Sequence, residues 1–146
     1  LRENGLRARD HVPLATRAEI SRFAISNQLR RRRCGDGAAE PAPECRSSLP
    51  CLGLIQELVR QSVARGLTHW AAVMEPKLLR MLAVMGIHFT PVGPLVDHHG
   101  LRQPSYCCLF EMLARLKQER PDHWMVVTEG GALLPGHGAD QERRAA

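Results

Sequence analysis

The chain is 146 residues long, room for one domain, and its ordinary hydrophobic share with few aromatics fits a globular protein with an aliphatic core. No run of about 18 apolar residues occurs, so no membrane-spanning helix is expected, and no signal-peptide apolar core stands near the start. The net charge of +5 is uneven, with Arg30, Arg31, Arg32 and Arg33 in one block; no zinc-finger pattern, helix-turn-helix signal or interleaved aromatic accompanies it, so nucleic acid is not the expected partner.

Residues 1 to 16 read as a polar lead-in loop with room for one helical turn. The chain opens on Leu1 rather than methionine, which suggests an internal piece of a longer protein. From Arg17 to Ile25, Glu19, Ser21, Phe23 and Ile25 alternate with Ile20, Arg22 and Ala24. A strand there sets Glu19 and Ser21 side by side on one face, because side chains repeat every two residues. A carboxylate in an otherwise apolar strand is costly unless it has a partner or a task. The four arginines follow, then Gly35-Asp36-Gly37. Such a block is ordinarily a solvated loop; after a strand-borne acid it also suits an anionic substrate or an acidic carrier.

Cys34 to Ser48 is rich in Gly, Ala, Pro, Glu and Ser, the composition of a surface loop. Ser47 or Ser48 suits a helix N-cap, with Pro50 in the first turn. Leu52, Ile55, Leu58, Val59, Ser62 and Val63 recur at helical spacing, and Gly66 ends the helix. Trp70–Met74 is a short apolar run, expected as a strand covered on both faces. Pro76 opens a second helix with Leu78, Leu79, Leu82 and Met85 inward and Gly86 as its stop. Ile87–Val92 reads as a strand, Leu95–His99 as its continuation, and Leu101–Cys107 as the return after a turn or bulge at Gly100. Phe110, Leu113, Ala114 and Leu116 mark a third helix. Residues 121–127 read as a helix or a strand, Pro121 favouring the helix. Residues 1–130 form the expected domain, and 131–146 a polar, disordered tail.

The order strand, helix, strand, helix, strand, strand, helix is an α/β pattern. The five cysteines, Cys34, Cys45, Cys51, Cys107 and Cys108, are odd in number and lack a Cys-x-x-Cys pair. This argues against a disulfide framework or a zinc ribbon and for free thiols in a reducing cytoplasm. Asp97, His98 and His99 invite a metal reading, but neighbouring strand residues point to opposite faces and do not converge, so no metal is expected.

The motif Glu19-Ile20-Ser21-Arg22-Phe23 resembles the central-strand motif of acyl-homoserine-lactone synthases, which share the fold of the GNAT N-acetyltransferases. Four further blocks come in order: His69–Pro76, Leu78–Arg80, Gly86–Pro94 and His99–Pro104. With the first, they are similar to the PEP-CTERM/exosortase system-associated acyltransferases over roughly residues 17 to 130. The resemblance implies a GNAT-like mixed sheet with helices on both faces. It also implies acyl transfer to an amine from an acyl-carrier-protein or coenzyme A thioester, with no permanently bound cofactor, in a bacterial cytoplasm. Family members carry an N-terminal half whose aromatic, acidic and arginine motifs do not occur here, so the chain is expected to hold the C-terminal part of such a domain. An ordinary coenzyme A-dependent N-acetyltransferase and a non-catalytic remnant of the same fold are the alternatives.

Under that resemblance Glu19 acts as general base towards the attacking amine, or is a strand-end carboxylate paired with Arg17 or Arg22. Ser21 orients a water or the acyl carbonyl, or is a core hydroxyl. Arg30–Arg33 and Gly35 bind the donor. Arg32-Arg33-Cys34-Gly35-Asp36-Gly37 fits the family's pyrophosphate-loop pattern, although that geometry needs a helix N-terminus directly behind it. Arg22 and Phe23 brace the fold. Glu75, at the end of a central strand, lines the cleft or caps the following helix. His99 and Arg102 line the acyl cleft. Tyr106, the only tyrosine, is considered for protonating the leaving thiolate.

Overall fold

Alternating apolar residues assemble the sheet. The computed structural model describes residues 13–21, 23 and 45–135. In chain order the elements are β1 (Arg17–Ile20), α1 (Cys45–Ala64), β2 (His69–Met74), α2 (Pro76–Val84), β3 (Thr90–Pro91), β4 (Val96–Asp97), β5 (Leu101–Cys108), α3 (Leu109–Glu119) and α4 (Pro121–Val127), with a short 3-10 turn, Leu14–Thr16, ahead of β1. The sheet order is β1-β2-β5-β3, and β4 pairs with the start of β5. β1 and β2 are parallel, with Arg17 opposite His69 and Ile20 opposite Ala72. β5 lies antiparallel to β2, with His69 opposite Cys108 and Met74 opposite Gln103. The chain is therefore α/β with a mixed open sheet, and α1 joins the two parallel strands as the strand–helix–strand order predicts.

Ile20, Trp70, Ala72, Met74 and Cys107 are buried on one face of this sheet. Cys51, Leu52, Ile55 and Val59 of α1, Leu82 of α2, Leu109, Met112, Leu113 and Leu116 of α3, and Trp124 and Val127 of α4 complete the same cluster. The other face carries Arg17, Glu19, His69, Ala71, Val73, Tyr106 and Cys108, none of them fully buried. Among the described residues the helices thus cover one face, where both were expected to be covered. Val73, 49% exposed, marks the open side of β2.

Local chemistry sets the boundaries. α1 begins at Cys45, ahead of the caps expected at Ser47 or Ser48, and holds Pro50 in its second turn. One lost backbone bond is outweighed by the buried stripe that follows. Trp70 is fully buried, and its Nε1–H donates to Ser62 Oγ at 2.8 Å, so the indole polar atom keeps a partner.

α2 stops in a Schellman motif. Gly86, at φ 87°, donates its N–H to Ala83 O at 3.0 Å, and Ile87 N–H donates to Leu82 O at 2.9 Å. Ile87 is thereby drawn into the core, and the strand expected over 87–92 shrinks to Thr90–Pro91. β5 runs directly into α3, with Leu109 N–H still bonded to Thr68 O at 2.9 Å. That sets the helix phase: Leu109 and Met112 are buried, while Phe110 and Ala114, two of the residues that mark this helix in the sequence, are exposed. Residues 121–127 are helical, as Pro121 suggests.

His123 ties this end of the molecule to α2. Its Nδ1–H donates to Met85 O at 2.9 Å, and its Nε2 accepts from Arg120 Nη2 at 2.7 Å. Beyond α4, Leu133 and Leu134 are packed against the core. Residues 136–146 lie outside the described residues. No described helix is long and apolar enough to cross a membrane.

Candidate active site

Among the described residues the β1–β2 ladder ends at the pair Ile20–Ala72, and β2 continues through Val73 and Met74, paired with β5. Both parallel strands, β1 and β2, run towards this end of the sheet. A cleft of about 790 Å³ opens at their carboxyl ends, the place where open α/β sheets bind ligands. Its walls are Glu19, Ile20, Ser21 and Phe23 from β1 and the residues after it, Val73, Met74 and Glu75 from β2 and its end, Leu78 from α2, and Val96, His98 and Arg102 from the β4–β5 hairpin. Most of the wall is apolar, and a few polar groups converge on it.

Glu19 is exposed, and among the described residues its carboxylate makes no hydrogen bond or ion pair. It is not paired with Arg17. Ser21 lies just past the end of β1, exposed rather than a core hydroxyl, and Phe23 is half-buried. Glu75 holds the N-cap position of α2 but makes no capping bond with its side chain. Instead its Oε1 accepts from Arg102 Nη1 at 2.5 Å. Arg102 also donates through Nε to His98 O and through Nη2 to His99 O, both at 3.3 Å. One guanidinium therefore clamps the end of β2 to the hairpin turn.

That turn corrects two expectations. β4 is only Val96–Asp97, and the chain reverses at His98–Gly100. Asp97 Oδ1 accepts from Gly100 N–H at 3.2 Å, and His99 takes φ 53°. His98, not His99, lines the cleft; His99 contributes its backbone carbonyl to Arg102. The pattern Asp-x-x-Gly, a common turn signature, is the signal that would have found it. Among the described residues no three His, Cys, Asp or Glu side chains are placed to hold a metal ion.

Tyr106 is elsewhere. It sits on the open face of β5 opposite Ala71, with its hydroxyl buried and its ring stacked on His69 at 5.2 Å between centroids. Burial, reinforced by the Arg17 charge, pulls the His69 imidazole below its ordinary value, against the opposing pull of Glu111. Of the residues expected to form the site, the fold brings together Glu19, Ser21, Phe23, Glu75 and Arg102. Arg22, Arg30, Arg31, Arg32, Arg33 and Gly35 lie outside the described residues. No family model, no curated protein and no solved structure matches the chain.

Proposed function

We propose that this chain is an acyltransferase that moves an acyl group from an acyl-carrier-protein or coenzyme A thioester to an amine, as the resemblance to the PEP-CTERM/exosortase system-associated acyltransferases and the GNAT superfamily implies. The observation that carries this reading is the cleft. Residues distant in sequence, Glu19, Ser21, Phe23, Glu75 and Arg102, line one opening at the ends of two parallel strands. A mixed open sheet with a helix joining its parallel pair is compatible with that fold.

In this mechanism the thioester arm lies in the cleft at the ends of β1 and β2. Ile20, Phe23, Met74 and Leu78 flank the acyl group and shed water from it. Glu19, unpaired among the described residues, takes the proton of the attacking amine as general base. Ser21 orients the amine or the acyl carbonyl. The Glu75–Arg102 pair fixes the far wall, so that acceptor and donor meet in one geometry. The arginines Arg30–Arg33 supply positive charge for an anionic donor, whose encounter is then weakened by salt.

The test is titration of the full chain with a non-hydrolysable acyl-coenzyme A analogue and with an acylated carrier protein, followed by amide resonances. Binding is expected to shift Ser21, Val73 and Met74 first. Shifts confined to other faces, or none with either donor, would remove the proposal, and the tighter donor distinguishes carrier from coenzyme A.

A further inference from the structure

Acyl transfer moves protons at two places. The amine nitrogen forms the new C–N bond and must lose a proton; the C–S bond breaks, and the departing sulfur must gain one. Glu19 accounts for the first. Within the cleft, Glu75 and Arg102 are committed to each other at 2.5 Å. Tyr106, the side chain such chemistry would first suggest, has a buried hydroxyl and does not line the cleft.

His98 remains. It lines the cleft across from Glu19's strand, and among the described residues its ring nitrogens make no hydrogen bond or ion pair. Its backbone, in contrast, is held on both sides. The N–H donates to Gly100 O at 3.0 Å, and the carbonyl accepts from Arg102 Nε at 3.3 Å. The ring rests edge-on against His99, 4.9 Å between centroids. A side chain on a fixed pivot with unengaged ring nitrogens suits proton delivery.

We propose that His98 is the general acid that protonates the leaving thiolate. This rests on the acyltransfer reading above. The amine attacks the thioester carbonyl, Glu19 receives the amine proton, and the C–S bond breaks as His98 passes its ring proton to sulfur. The neutral imidazole and the protonated carboxyl then return to their starting states by exchange with solvent, so no oxidant, reductant or further reactant is needed.

The experiment compares His98→Gln with wild type in single turnovers of the full chain, using two donors with the same acyl group. One releases an alkyl thiol, whose thiolate is basic enough to need a proton as it leaves; the other releases an aryl thiol, which departs without protonation. The variant should lose roughly 10²–10⁴-fold with the alkyl donor, the range of general acid catalysis, and stay near wild type with the aryl donor. His98→Asn serves as a second variant with the same expectation, and melting temperatures confirm folding. Equal losses with both donors, or an undiminished rate with the alkyl donor, overturn the assignment and leave acyl transfer standing. No transfer by wild type from either donor overturns both.

Discussion

Adding one methyl group at Gly86 (Gly86→Ala) meets two obstacles. The residue sits at φ 87°, where an L side chain costs about 1–2 kcal/mol. A Cβ there would lie 2.7 Å from Leu116 Cδ1 and 3.3 Å from Arg120 Cγ. Leu116 is fully buried, so overpacking adds about 1–3 kcal/mol. The unfolded chain loses entropy in the same change, returning about 0.4–1 kcal/mol. The net expectation is a loss of about 1–5 kcal/mol. Gly66→Ala is the control, because Gly66 has φ 66° but nothing within 4 Å of its Cβ position. It should show the conformational cost alone. Urea unfolding of both variants, followed by circular dichroism, reads the two numbers. Equal losses at Gly66 and Gly86 would refute the close approach of α2's end to α3.

Other outcomes follow from single contacts. Ser62→Ala leaves the fully buried Trp70 Nε1–H without an acceptor and should cost about 1–3 kcal/mol, read as a lower denaturant midpoint at unchanged slope. Burial pushes the Cys107 thiol up to about 12 and the Cys51 thiol up to about 11, from an ordinary 9.0; both should resist alkylation until the chain unfolds. Because the folded form keeps protons that the unfolded chain releases from about pH 9 upward, the stability these thiols contribute is complete below that pH. It should be lost as pH rises towards 11–12. Replacing Arg31 and Arg32 by Ala should weaken carrier-protein binding more than it lowers the melting temperature, with a shallower salt dependence; carrier binding unchanged across a salt titration would remove the arginines from the donor site.

Much of the fold was legible because periodicity reports burial. Leu52, Ile55, Val59 and Ser62 are inward on α1, and the order β1, α1, β2 follows from the apolar runs alone. The misreadings share a cause: a local pattern was continued where a backbone contact intervened. Ile87 looked like the start of a strand but completes the Schellman motif of α2. Phe110 is the first residue of the pattern that marks α3, but the sheet bond from Leu109 to Thr68 starts the buried stripe one residue earlier, at Leu109. Val73 reads as core in an apolar run, although it faces the uncovered side.

In the cleft, Glu19, Ser21 and Glu75 were legible as polar residues at strand ends. The Glu75–Arg102 pair was not, because nothing in one sequence says that β5 returns beside β2 in that register. His98 was missed because alternation was applied through a turn. There the Asp97–Gly100 bond reverses the chain and sends successive side chains off a strand's two-residue repeat.

Glu19 carries the central claim, and one substitution tests it most directly. Glu19→Gln keeps the size and the hydrogen-bonding reach of the side chain but cannot take up a proton as a carboxylate does. The melting temperature and the single-turnover rate of acyl transfer to an amine are measured on the same sample of full chain. The account predicts an unchanged melting temperature, donor binding within a few-fold of wild type, and a rate lower by roughly 10²–10⁴-fold. A folded Glu19→Gln chain that transfers the acyl group at the wild-type rate across pH would contradict it.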